Sequence, residues 1–170
     1  MKTISKLLVV AAITLCSIQS NAQFSAGAQV GYGTESDFAG LGIGVKAMYD
    51  ITDTWSGAGD FLYFFGESGD GFDSYSTSIN LDAHYNFLNE GDGLKVYGAA
   101  GINITSFTIE YDDDFGFFGQ DSFSASETGL NIGGGVFYDL SDQLMLNGDL
   151  KYVLSDADQL ILSAGVMYKF

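Results

Sequence analysis

His84 is the only histidine in the chain, and it stands between Asp82 and Asn86 on one parity of the stretch Tyr75 to Phe87. An imidazole near a carboxylate can relay protons, and with a hydroxyl it can support acyl transfer. No nucleophile motif accompanies His84, so a histidine satisfied inside a packed interior is the simpler reading.

The carboxylates are the second candidate. Glu35 and Asp37, then Glu67, Asp70 and Asp73, then Glu110, Asp112, Asp113, Asp114, Asp121 and Glu127, then Asp156 and Asp158 of a short connection, place 13 acids at one expected rim. Oxygen ligands suit calcium or magnesium. A calcium loop opening at Asp112, however, would meet Phe117 where its glycine belongs and Phe123 where its closing glutamate belongs. A solvated, mutually repelling rim remains, with weak divalent bridging as its functional alternative. No cofactor and no metal site are expected. Phe107, Tyr111, Phe115, Phe117, Phe118 and Phe123 add an aromatic cluster to the same region, of the kind that marks contact surfaces.

A third set has both signs. Lys46, Lys95 and Lys151 share a parity with Asp60, Asp82, Asp139, Asp149 and His84. Charges withdrawn from water persist by pairing, so these eight residues are expected to form one interior charged network.

The elements that must position these groups have a period of two. In Gln159 to Phe170, Leu160, Leu162, Ala164, Val166, Tyr168 and Phe170 alternate with Gln159, Ser163, Gly165 and Lys169, which defines a strand with one wholly apolar face. Seven earlier segments alternate likewise: Phe24 to Gly33, Leu41 to Tyr49, Trp55 to Phe65, Tyr75 to Phe87, Lys95 to Thr105, Leu130 to Leu140 and Leu144 to Leu154. That makes eight strands. Connections at 34–40, 66–74 and 108–127 are long, whereas those at 50–54, 88–93 and 141–142 are short.

Lys2 and Lys6, the apolar run Leu7 to Cys16 and the small residues before Gln23 have the order of a cleaved signal peptide over residues 1–22. Residues 23–170 then carry 4 Lys, no Arg and 22 acids, a formal charge of −18, which argues against a nucleic-acid partner.

Volume decides which face is inside. Trp55, Phe61, Tyr63, Phe65, Tyr75, Tyr85, Phe87, Tyr138, Tyr152, Tyr168 and Phe170 lie on the apolar parity and are too bulky to fill an eight-stranded lumen together. The parity rich in Gly, Ser and Asn fits. An all-β, antiparallel, up-and-down barrel with lipid outside and a filled polar interior is therefore expected, with aromatic residues gathered near both strand ends.

From Phe24 to Phe170 the chain resembles the small OmpA/OmpX-type outer-membrane β-barrels of Gram-negative bacteria, within the broad outer membrane protein beta-barrel or porin-family group. Ser163, Gly165, Tyr168 and Phe170 resemble the C-terminal signal of such barrels. The resemblance implies a place in the cell outer membrane and contact with the barrel-assembly machinery during biogenesis. Outer-membrane lipids and lipopolysaccharide are its implied surroundings. It points to a non-enzymatic barrel with a structural or surface-interaction role. The alternatives are a narrow passive pore, disfavoured by the small lumen, and a lipid-modifying enzyme using His84, disfavoured because His84 falls near the short-turn end. No extracellular ligand is named by these residues.

Overall fold

The computed structural model describes residues 24–34, 40–69, 72–89, 93–111, 122–156 and 158–170. The expected signal peptide, residues 1–22, lies outside them, as do Phe115, Phe117 and Phe118 of the aromatic cluster. The strands are β1 (Phe24–Gly33), β2 (Gly40–Asp50), β3 (Trp55–Gly69), β4 (Phe72–Asn89), β5 (Leu94–Tyr111), β6 (Ser122–Asp139), β7 (Leu144–Leu154) and β8 (Gln159–Lys169). Each pairs antiparallel with the next, and β8 returns to β1 to close the barrel.

Closure joins Ser25 to Lys169 and Gly33 to Ile161 across β1 and β8. It leaves no edge through the barrel wall, so every backbone group there finds a partner without water. Alternation then sorts the side chains. On β2, Leu41 is 66% exposed and Val45 is 59% exposed, whereas Lys46 and Met48 on the other parity are buried. An outer surface of Leu, Ile, Val and aromatic residues over a lumen containing lysines is inverted relative to a soluble domain, and hydrocarbon is the solvent that suits it.

Four strands overshoot the expected ends. β3 and β4 still pair at Gly69 and Phe72, and β5 and β6 still pair at Glu110 and Ser122. The stretches 66–74 and 108–127 are therefore largely hairpin rather than loop. Their alternation continues with its polarity reversed: on β5 and β6, Ser106, Thr108, Ser124 and Ser126 take the outward parity, and Phe107, Ile109, Phe123 and Ala125 take the inward one. Cross-strand hydroxyl contacts join Ser106 to Ser126 at 2.8 Å and Thr108 to Ser124 at 3.1 Å. The change from Ile104 and Leu130 to serine and threonine marks where the wall leaves hydrocarbon.

The interior is filled, but its composition corrects the expectation of a polar lumen. Toward the short-turn end, Met48, Ala58, Tyr97, Ala99, Phe137, Met145 and Met167 form one buried apolar cluster. Toward the long-loop end, Leu62, Phe64, Val153 and Ile161 form another. Glycines on facing strands make room for these side chains. A Cβ on Gly135 would lie 2.5 Å from the Tyr97 hydroxyl, one on Gly44 would lie 2.9 Å from Leu62 Cδ2, and one on Gly42 would lie 2.7 Å from Phe64 Cδ1. Gly135→Ala should cost about 1–3 kcal/mol by overpacking, because the added carbon also meets the Gly148 carbonyl at 2.3 Å. Urea unfolding in lipid vesicles, followed as the loss of the compact band on an unboiled gel, checks this.

Candidate functional site

Between the two apolar clusters lies a band of buried charge. Lys46 on β2 reaches Asp149 on β7 at 2.6 Å, and Lys151 on β7 reaches Asp60 on β3 at 2.6 Å and Asp82 on β4 at 3.2 Å. All five residues are buried. Each carboxylate also accepts hydrogen bonds from uncharged side chains. Asp149 accepts hydrogen bonds from Tyr97 Oη, from Asn147 Nδ2 at 2.9 Å and from Ser163 Oγ at 3.2 Å. Asp60 accepts from Asn80 Nδ2 at 2.8 Å, and Asp82 accepts from Asn131 Nδ2 at 2.7 Å. Asn103 extends the second group by donating to Ser78 at 2.7 Å and to Asn80 at 2.8 Å. Pairing plus hydrogen bonding is the condition under which ions survive burial.

The eight expected network residues do not form one network. Lys95 pairs instead with Asp50 at 3.3 Å, and Asp139 pairs with Lys169 at 2.9 Å, both pairs partly exposed near the short-turn end. Asp50 falls in an expected turn, and Lys169 lies on the polar parity of the last strand. The signal that could have found them is their inward parity at the same end of the barrel as Lys95 and Asp139, although β2 does not adjoin β5 and β6 does not adjoin β8.

His84 is buried in neither ion group. Its ring stacks on Tyr97 with centroids 4.2 Å apart, and Tyr97 stacks on Phe137 at 4.8 Å. Lys46 Nζ lies 5.5 Å from the Phe137 centroid. Asp82, the carboxylate next to His84 on its strand face, is committed to Lys151 and Asn131. His84 Nδ1 has no protein partner, so the imidazole is held by ring contacts and lacks the orienting bond that a general base needs.

At the chain's end, Ser163 faces inward onto Asp149, and Gly165 passes so close to β1 that a Cβ would lie 2.4 Å from the Ala28 carbonyl. Tyr168 and Phe170 face outward with rings 5.1 Å apart, and Phe170 meets Phe24 at 5.6 Å. Trp55 and Tyr85 add an edge-to-face pair at 5.1 Å. At the other end, Tyr63 stacks on Tyr75 at 5.3 Å and packs against Phe65 at 5.4 Å. Two aromatic belts bounding an apolar band are the signature of a spanning barrel.

Among the described residues no cluster of three or more His, Cys, Asp or Glu could hold a metal ion. The second place of interest is the sheet that β3 to β6 raise above the long-loop end, with Tyr75 donating to Glu110 at 3.3 Å on its outward face.

Closed ladder, lipid-facing apolar band, aromatic belts and charged lumen together define an integral outer-membrane β-barrel. The sequence matches the family model for the outer membrane protein beta-barrel domain over residues 7–170, and the chain belongs to that family. Solved structures share the fold. Neisserial surface protein A is 24% identical with a TM-score of 0.66, over 87% of this chain and 97% of that one. The N-terminal barrel of Pseudomonas aeruginosa OprF is 20% identical at 0.64, over 86% and 97%. Ail of Yersinia pestis, in complex with the heparin analogue sucrose octasulfate, is 21% identical at 0.63, over 86% and 96%. Comparison with curated protein sequences gave no significant match. The protein resides in the outer membrane.

Proposed function

We propose that this barrel is non-enzymatic, that its spanning part is a closed plug, and that its working surface is the sheet raised at the long-loop end, which in outer-membrane barrels faces the exterior. The observation that carries this reading is the filled lumen: two apolar clusters with a paired, hydrogen-bonded ion band between them. A pore would need a continuous hydrated path, and an enzyme would need an oriented base; His84, stacked on Tyr97, supports neither.

In this reading the apolar belt contacts outer-membrane lipids and lipopolysaccharide, and the terminal strand with Tyr168 and Phe170 is what the assembly machinery engages. The polyanion bound by Ail has no evident counterpart here. Residues 66–74 and 105–129 contain nine acids and neither Lys nor Arg, so sulfates would be repelled.

Planar-bilayer recording of the purified protein tests the proposal. The expected outcome is heat-modifiable gel mobility, the mark of a folded barrel, without steady conductance. Stable single-channel steps from the same sample would replace the plug with the pore.

A further inference from the structure

An oblique groove marks the lipid-facing wall. Leu146 on β7, Ala164 on β8, Ala28 on β1, Val45 on β2, and Phe61 and Tyr63 on β3 line it, and its volume is about 840 Å³. The ladder row from Leu146 through Val166, Ala28 and Val45 to Phe61 is continuous across these five strands. Leu146 is the third residue of β7 counted from the short-turn end, whereas Tyr63 is the ninth of β3. The groove therefore climbs through the hydrocarbon band to the aromatic belt on the long-loop side, and the small side chains of Ala28 and Ala164 keep its floor low.

A second arrangement begins where the groove ends. Tyr63 stacks on Tyr75 at 5.3 Å, and Tyr75 donates to Glu110 at 3.3 Å. Glu110 stands directly opposite Asp73 in the β4–β5 ladder, and both carboxylates are exposed on the outward face. Like charges opposite one another repel. Between Lys46 and Lys95, and again between Lys95 and Lys151, the chain has no Lys or Arg to separate them.

What the pair lacks is a cation from outside. Two carboxylates leave most of the oxygen positions of a calcium ion unfilled, whereas tyrosine rings beside carboxylates attract an ammonium. Aromatic belts lie at the level of the lipid headgroups. The cation that meets this place is therefore carried by a lipid.

We propose that groove and rim form one binding site for an outer-leaflet lipid with an ammonium headgroup. An acyl chain lies in the groove between Leu146 and Tyr63, and the ammonium rests against Tyr75 and between Asp73 and Glu110. The inference rests on the apolar belt facing lipid, as proposed above, and not on the closed lumen.

Its test is native mass spectrometry of the whole folded barrel released from nanodiscs of equal phosphatidylethanolamine and phosphatidylglycerol. One phosphatidylethanolamine should stay bound, retained about tenfold over phosphatidylglycerol. Asp73→Asn with Glu110→Gln should abolish the preference. Asp156→Asn with Asp158→Asn, an equal change of charge elsewhere on the rim, should leave it intact. Ala164→Leu, which raises the groove floor, should reduce retention severalfold. None of these changes adds a charge to the lipid face, and an unboiled gel confirms that each variant folds.

Equal retention of the two lipids, a preference that survives loss of Asp73 and Glu110 or is lost equally with Asp156 and Asp158, or retention unchanged in Ala164→Leu would overturn the proposal. So would a preference abolished by EDTA, which would assign the carboxylates to a divalent ion, or a dimer of the chain in place of the lipid adduct. Steady conductance beside an intact preference would instead remove the plug and leave the lipid site standing.

Discussion

Lys151→Met should destabilise the barrel by about 3–5 kcal/mol, the usual cost of stranding a buried charge. Lys151 is the cation between Asp60 and Asp82, at 2.6 Å and 3.2 Å, and both carboxylates are buried. Removing it leaves two like charges facing one another with only the amides of Asn80 and Asn131 for compensation. Adding Asp60→Asn and Asp82→Asn to the same chain should recover most of the loss, because neutral amides need hydrogen bonds but no counter-charge. Urea titrations of the single and triple variants in vesicles measure the difference. A single variant within 1 kcal/mol of wild type, against the several expected for a buried pair, would mean that water reaches the band.

Val136→Lys or Leu150→Lys should cost about 2–4 kcal/mol, the penalty for a lysine near the bilayer midplane. Val136 is 43% exposed and Leu150 is 49% exposed, both on the lipid side of the β6–β7 ladder. Lysine at Asn131 or Asn147 instead enters the lumen, beside Asp82 or Asp149, and is felt through crowding. Lipid dependence separates the two classes. The outward variants should lose less in thinner bilayers, where the headgroups come closer, and the inward ones should not respond. Equal losses and equal responses would sink this assignment of faces.

The wall was legible because period two survives in every strand and the bulky aromatics of one parity cannot share a narrow lumen. Two features were not. Tyr97, Phe137, Met145 and Met167 sit on a parity otherwise rich in Gly, Ser and Asn, so they read as exceptions to a polar face. Their sense appears only when the register sets Tyr97 opposite Gly135. The raised sheet was missed because its polarity reverses above Ile104 and Leu130, and acids with aromatics there look like loop. Which lysine meets which aspartate was equally hidden, since Lys46 and Asp149 are 103 residues apart and Lys151 and Asp60 are 91 apart.

Those two separations bear on the order of assembly. β7 alone brings both Asp149 and Lys151, the counter-charges for Lys46 on β2 and for Asp60 and Asp82 on β3 and β4. Any partial sheet that lacks β7 therefore carries one unmatched ammonium and two unmatched carboxylates on its inward side, and such ions keep their water. Arrival of the seventh strand neutralises them together and lets the lumen dry. Drying is thus tied to the penultimate strand rather than to the terminal one.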